Sequence, residues 1–362
     1  MKVKLRDVTK YSKGTQINGD DLPEDGEYVY MNGGINPSGR WNSANVKGNT
    51  VTISEGGNSS GYVNYITKPF WCGAHCYYLF DGPENTRYLY YALKSQQQRL
   101  FGIRSGACMP NIKKADLGKF EFEFDTDEQK QKEVVSALLK VESVIIDRKR
   151  ELELLEDLIK ARFIEMFGDP VANPKRLIKK TLPELGEFGR GVSKHRPRND
   201  ETLLGGPHPL IQTGDVANSG LYITEYHSTY SELGLQQSKM WDEGTLCITI
   251  AANIAKTAIL GFDACFPDSI VGFIANEDTN NVFVHYWFSF FQEILESQAP
   301  ESAQKNINLK ILSELKVIVP NIQEQNEFAD FVVQVEKTKD TIRKSLDETQ
   351  ILLDSLMQRY FG

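Results

Sequence analysis

The sequence predicts an α+β protein in which two mostly β globular domains alternate with two long helices. Three observations carry this. The closing run "LLDSLMQRYFG" (352–362) has a counterpart at mid-chain, "LIKARFIEMFGD" (158–169). A shift of 194 residues lays one heptad seam over another, the mark of an internal repeat. The stretches between the seams are rich in β-branched and aromatic residues, with turn signals every eight to twelve residues.

The first seam runs through Val134, Leu138, Val141, Ile145, Arg148, Leu152, Leu155, Ile159, Arg162 and Met166. Its copy runs through Phe328, Val332, Val335, Lys339, Ile342, Leu346, Thr349, Leu353, Leu356 and Tyr360. Steps of four and three residues put each set on one helical stripe. "DTDEQ" (125–129) offers Thr126 and Gln129 as a capping box, and "PNIQEQ" (320–325) offers Asn321 with Glu324. Gly168, followed by Asp-Pro, closes the first helix. Helices of about 40 residues, roughly 60 Å long, cannot bury such seams alone. The simplest partner is the repeat itself, as an antiparallel intrachain coiled coil; another domain or a second chain is the alternative. The resulting order is a globule (1–124), a long helix (125–168), a globule (169–320) and a long helix (321–362).

The repeat extends upstream. "PNIKKADLGKFEFEF" (110–124) parallels "KNINLKILSELKVIV" (305–319), each ending in a period-two strand. "GNTVTIS" (48–54) parallels "GTLCITI" (244–250), and "YVYMNGGINPSG" (28–39) parallels "HPLIQTGDVANSG" (208–220). "KLRDV" (4–8) and "KKTLPEL" (179–185) open the two copies. One helix is expected in each globule, at 86–101 and 280–297. The circular order predicts that Met1 and Gly362 lie at equivalent ends of the two-domain frame.

The net charge of −8 argues against simple binding of nucleic acid by bulk charge. It is uneven: residues 1–124 hold 15 basic and 12 acidic side chains, residues 169–320 hold 13 and 18. Contacts to phosphate therefore fall to local clusters. The five cysteines form no paired framework, no apolar stretch reaches membrane length, and the start has no signal-peptide core; a cytoplasmic chain with reduced thiols is expected.

The segments "NIKKADLGKFEFEFDTDEQKQ" (111–131) and "NINLKILSELKVIVPNIQEQNE" (306–327), with the two helix endings, carry a family resemblance. The chain resembles the specificity (S) subunit of type I restriction-modification systems over essentially its whole length. It departs from the pattern where Asp125 stands opposite Pro320, and it is compact for the family, which leaves a type IIB specificity subunit open. The resemblance implies recognition of a bipartite duplex-DNA target, one half per globule, with the helices setting the spacer. It implies methyltransferase (M) subunits, two of them, docked on the helices, and restriction (R) subunits joined through the complex. It implies no catalysis and no cofactor of the chain's own. A coiled-coil adaptor whose globules bind proteins is the competing reading.

Candidate DNA contacts follow from residue type. In "MNGGINPSGRWNSANVKGN" (31–49) small residues admit close backbone approach, and Asn32, Asn36, Ser38, Arg40, Asn42 and Lys47 offer donors to bases or phosphates. "SEGGNSSGY" (54–62) adds Asn58, Ser59 and Tyr62. "GRGVSKHRPRND" (189–200) is the densest basic stretch, with Arg190, Lys194, His195, Arg196 and Arg198 as phosphate candidates. The loop "QTGDVANSG" (212–220) adds Thr213, Asp215, Asn218 and Ser219, with Asp215 suited either to a cytosine amino group or to capping its own turn. "TIAANIAKTAI" (249–259) adds Asn253 and Lys256. Each loop also reads as an ordinary surface turn.

"WCGAHC" brings Cys72, His75 and Cys76 together, but without a fourth ligand the stretch reads as a core strand and not as a zinc site. The sequence contains no "GxxxxGK[ST]" run, no Gly-rich cofactor loop after a strand, no Asn/Asp-Pro-Pro-aromatic motif and no metal or nucleophile constellation. Apolar residues beside the seams, Val135, Leu139, Val144, Leu154, Leu158, Phe331, Val333, Ile351 and Leu352, are candidates for a subunit-docking face or for burial against the globules.

Overall fold

The computed structural model describes every residue except 107, 196, 198, 199, 252, 253, 292, 293 and 295–306. It divides into two units: Met1–Lys149 with Lys344–Gly362, and Arg150–Arg343.

The first unit contains β1 (Lys2–Lys4), α1 (Leu5–Val8), β2 (Lys10–Lys13), β3 (Tyr28–Met31), β4 (Gly39–Trp41), β5 (Thr50–Ser54), β6 (Val63–Ile66), β7 (Trp71–Cys72), β8 (Cys76–Phe80), α2 (Thr86–Ser95), α3 (Gln97–Gly102), α4 (Lys114–Lys119) and β9 (Glu121–Glu123). β1 pairs antiparallel with β9, with Val3 opposite Phe122. One sheet has the order β2-β8-β5-β6 and a second has β4-β3-β7, in which β3 and β7 are parallel. α5 (Glu128–Phe167) follows and crosses into the second unit.

The second unit contains β10 (Ile178–Thr181), α6 (Leu182–Leu185), β11 (Gly186–Arg190), β12 (Leu204–Leu210), α7 (Thr213–Asn218), β13 (Tyr222–Ile223), β14 (Ser228–Tyr230), α8 (Glu232–Gln236), β15 (Met240–Trp241), β16 (Leu246–Thr249), β17 (Thr257–Leu260), β18 (Ala264–Cys265), β19 (Ile270–Ala275), α9 (Asn281–Phe288), α10 (Leu309–Glu314) and β20 (Lys316–Val319). β10 pairs antiparallel with β20, as β1 does with β9. The sheets run β11-β19-β16-β17-β13 and β14-β12-β18-β15. Strand for strand, β11-β19-β16-β17 repeats β2-β8-β5-β6, and the parallel pair β12·β18 repeats β3·β7. The second copy adds β13 and β15 at sheet edges. α11 (Ile322–Phe361) begins in this unit and ends in the first.

The seam residues explain how each unit closes. In the first unit Leu138 and Phe361 are buried in one cluster with Tyr88, Leu89, Phe122 and Phe124, with Val134, Leu353 and Leu356 packed against it. In the second, Ile159, Phe163 and Phe167 share a cluster with Phe283, Phe328, Val332 and Val335. Phe163 sits among the rings of Phe167, Phe283, Phe290 and Phe328 at centroid distances of 5.1–5.5 Å. Every seam position is buried or half-buried. The polar seam residue Lys339 is buried too, and it pairs with Glu156 at 2.7 Å and Glu336 at 2.5 Å.

Local chemistry corrects several expectations. Asp127, not Thr126, caps α5: its carboxylate accepts from the backbone N–H of Gln129 and Lys130, and Gln129 turns to Glu133. Asn321 caps α11 through the N–H of Gln323. Behind these caps, two buried glutamines occupy matching positions. Gln131 Nε2 donates to the carbonyl of Asp125 at 2.6 Å, and Gln325 Nε2 to that of Pro320 at 3.0 Å. The exchange of Asp125 for Pro320 thus leaves this tie intact, because only the carbonyl takes part. The helix expected over 86–101 is broken at Gln96, whose amide donates to Phe361 O. Short helices α4 and α10 precede the period-two strands in both copies. The segment 212–220 is the helix α7 with Gln212 and Asp215 as its capping box, and not a loop, because Val216 is buried beneath it. The helix expected over 280–297 is described over Asn281–Phe288; its last turns lie mostly outside the described residues.

Met1 donates its amine to Phe124 O, and Met1 and Gly362 line one cleft of the first unit. Among the described residues, no helix is long and apolar enough to cross a membrane.

Candidate nucleic-acid interface

The repeated sheets place candidate residues at equivalent ends. In the first unit β2 ends at Lys13, β5 ends at Ser54 and β8 begins at Cys76, so all three meet at one sheet end. There Lys13 Nζ lies 2.7 Å from Glu55, whose second carboxylate oxygen lies 3.3 Å from His75 Nδ1. The turn 55–62 and the loop 32–38 close over the same end. Ser54 and Ser59 both donate their hydroxyls to Gly33 O. Asn64 reaches Ile35 O at 3.3 Å, and Asn32 Oδ1 accepts the His75 N–H at 3.2 Å. The two polar stretches singled out in the sequence are therefore one surface.

The candidates of the first unit divide by what they touch. Asn32 and Ser59 are held in the cross-links just described. Arg40 is exposed, and its guanidinium donates to the carbonyls of Gly26 and Glu27. Tyr62 lies under Lys94, with the ammonium 3.7 Å from the ring centroid. Asn36, Ser38, Asn42, Lys47 and Asn58 are exposed.

In the second unit the same sheet end is formed by the end of β11 at Arg190, the end of β16 at Thr249 and the start of β19 at Ile270. Arg190 is exposed, and the basic stretch leaves from it. Gln237 Oε1 accepts the backbone N–H of both Lys194 (2.7 Å) and His195 (3.0 Å), fixing the first part of that stretch. His195 Nε2 is 3.3 Å from Asp200, whose carboxyl is held below its usual range by the hydroxyl and N–H of Thr202. Lys256 is exposed in the β16–β17 turn, which belongs to the same end. Arg196, Arg198 and Asn253 lie outside the described residues.

Thr213, Asp215, Asn218 and Ser219 form a separate group on α7. Asp215 accepts from Gln212 N and pairs with His227 Nδ1, both at 2.8 Å, so its carboxylate serves its own turn. Ser219 bonds back to Asp215 O. Asp215, Asn218 and Ser219 line a cleft of about 380 Å³ whose far wall is Glu336, Asp340 and Arg343 of α11.

Sequence reasoning passed over Lys13 and Glu55, and weighed His75 only as a metal ligand. The signal was present: at a shift of 177, "SKG" (12–14) falls on "GRG" (189–191), placing Lys13 opposite Arg190. The following glycines are required in both copies. A Cβ on Gly14 would lie 1.8 Å from Cys72 O, and one on Gly191 2.3 Å from Phe266 O. In "WCGAHC" the thiols of Cys72 and Cys76 are buried while His75 points out to Glu55, so the three side chains do not converge. No group of His, Cys, Asp and Glu suited to a metal ion occurs among the described residues.

Comparison with known proteins agrees with this two-copy layout. The family model for the type I restriction modification DNA specificity domain matches residues 1–156 and again 177–350. A protein of Mycoplasma genitalium described as a type I specificity subunit is 25% identical over 363 residues, covering 96% of this chain and 90% of its own. A counterpart in Mycoplasma pneumoniae is also 25% identical, covering 99% and 94%. The crystal structure of a type I S subunit from M. genitalium superimposes with a TM-score of 0.62 at 21% identity, covering all of this chain and 96% of that one. A structure from a study of assembly and conformational transition of a type I system gives 0.58 at 14% identity, covering 99% and 96%. With two specificity domains spanning most of its length, the chain belongs to the type I restriction-modification DNA specificity family.

Proposed function

We propose that the chain reads a bipartite duplex-DNA sequence, each unit recognising one half. The observation that carries this is the repetition of one sheet end, Lys13 with the 32–38 and 55–62 loops in one unit and Arg190 with Lys194, His195 and Lys256 in the other. Lys13, Arg190, Lys194 and Lys256 meet phosphates, while Asn36, Ser38, Asn58 and Asn253 read base edges. Arg196 and Arg198 extend the phosphate contacts. Asp215 and Ser219 serve as structural supports of α7, while Thr213 and Asn218 keep their place as base-reading candidates.

The long helices pair as an antiparallel intrachain coiled coil and act as the spacer between half-sites, their length fixing the unread gap. The pseudo-twofold of the repeat presents the units in opposite senses, as two half-sites require. Methyltransferase subunits, two by that symmetry, dock on the helices, and restriction subunits join through the complex. Leu139, Val144, Leu154, Leu158, Ile351 and Leu352 are exposed on the helices and supply apolar contacts for docking, whereas Val135, Phe331 and Val333 are half-buried. The chain contributes specificity, and the chemistry of methylation and cleavage resides in the partners.

Methylome sequencing of cells carrying this chain with its methyltransferase tests the proposal. A two-part motif with a fixed gap is expected, and exchanging one unit should change one half of it. Assembled complexes that bind DNA without sequence preference would favour the protein-adaptor reading instead.

A further inference from the structure

We infer that Ile35 is a specificity-determining residue that reads the C5-methyl group of a thymine. The inference rests on the proposed reading of DNA by the first unit. Ile35 is 52% exposed at the tip of the loop "GGINP" (33–37), an apolar side chain on an otherwise polar surface. A single exposed isoleucine is ordinary; the construction beneath this one is not. Three side chains converge on the carbonyls behind it, Ser54 and Ser59 on Gly33 O and Asn64 on Ile35 O. Gly33 has φ +90°, and a Cβ there would lie 2.4 Å from His75 O, so the tip is seated directly on the β7–β8 turn. Pro37 follows and fixes its own φ.

These ties hold the tip in one conformation, which an ordinary solvent-exposed turn has no need of. The tip puts an apolar group beside the donors and acceptors of Asn36, Ser38 and Asn58 and the cation Lys13, all at one sheet end. In the major groove the one apolar feature a base edge offers is the thymine methyl group. In the second unit Ile254 is 38% exposed in the β16–β17 turn, the counterpart of the 55–62 turn, next to Lys256 and to Ala255 at φ +58°.

The test uses the chain assembled with its methyltransferase and duplexes carrying the methylated motif. Each thymine is replaced in turn by deoxyuridine, which removes the methyl group and leaves the pairing unchanged. At one position wild-type affinity should fall about fourfold, the factor for burying one methylene-sized group. Ile35→Ala should bind the thymine duplex about fourfold more weakly and be indifferent to deoxyuridine there. Ile254→Ala should retain that sensitivity. Absence of any sensitive position, or full sensitivity retained in Ile35→Ala, would overturn the inference while leaving sequence-selective binding intact. Loss of all sequence selectivity in the wild-type complex would overturn the DNA reading on which it stands.

Discussion

Arg190→Gln measures how the second unit meets DNA. The side chain closes β11, is exposed, and has no ion pair among the described residues, so its charge is available to one phosphate. Each phosphate neutralised contributes about 0.9 to the slope of log K against log salt. The variant should therefore lower that slope by about 0.9 and weaken binding roughly fivefold at about 0.15 M salt, for cognate and non-cognate duplexes alike. Lys13, its counterpart, behaves differently because Glu55 sits 2.7 Å away and cancels its charge. Glu55→Gln frees Lys13 and should tighten binding and steepen the slope; Lys13→Gln leaves Glu55 facing the phosphates and should weaken binding. Fluorescence anisotropy of a labelled duplex, titrated with the assembled complex across a series of salt concentrations, reads all three. An unchanged slope in Arg190→Gln, or weaker binding in Glu55→Gln, would refute the placement of the sheet ends against DNA.

Three further outcomes concern what holds the second unit together. Phe163→Ala removes a fully buried ring from among four others and should cost about 3–5 kcal/mol, lowering the urea midpoint followed through Trp241 and Trp287 of the same unit. Lys339→Ala takes from buried Glu336 its nearest cation, leaving Arg343 at 3.7 Å, and also removes a packed stem; it should cost about 2–4 kcal/mol, and Lys339→Met, which restores the stem but not the charge, should recover only the packing part in the same assay. Burial lowers the pKa of His285 to about 4, with Nδ1 3.0 Å from the Thr257 hydroxyl. The unfolded chain takes up a proton below about pH 6.5 while the folded one does not until about pH 4, so this contribution is complete above pH 6.5 and is lost as pH falls. Stability should decline by up to about 3 kcal/mol across that window, and His285→Gln should flatten the decline in urea midpoints measured between those limits.

The long helices were legible because their seams are long and strictly periodic. A stripe of ten positions outweighs any local ambiguity, and each of those positions is buried or half-buried. Their starts were less so: Thr126 and Asp127 are both good caps, and the choice between them turns on one residue of register. The strand repeat was legible where alternating residues pair edge to edge, as at Phe122 and Val317. Short helices were not, since α4, α7 and α10 each have six residues, too few for a helical period to show. The segment 212–220 looks like a loop by composition, and what makes it helical is Val216 docking on a core assembled from strands far along the chain.

At the interface, composition found the right loops but could not assign tasks within them. Asn32 and Asn36 are the same residue four positions apart, yet one accepts the His75 N–H and the other is exposed. Arg40 was singled out as a free donor, whereas its guanidinium commits two of its donors to the backbone of Gly26 and Glu27. Lys13 went unnoticed because a lone lysine in "YSKGT" carries no signal until Arg190 is found at the matching strand end.

The central claim is that each unit reads its own half of one gapped sequence. Its most direct measurement is the methylome of cells expressing this chain and its methyltransferase, beside a variant whose 1–124 segment comes from a relative of different specificity. The account predicts a bipartite motif whose one half changes, with the other half and the gap kept. A motif without a gap, or one altered in both halves by that exchange, would contradict it.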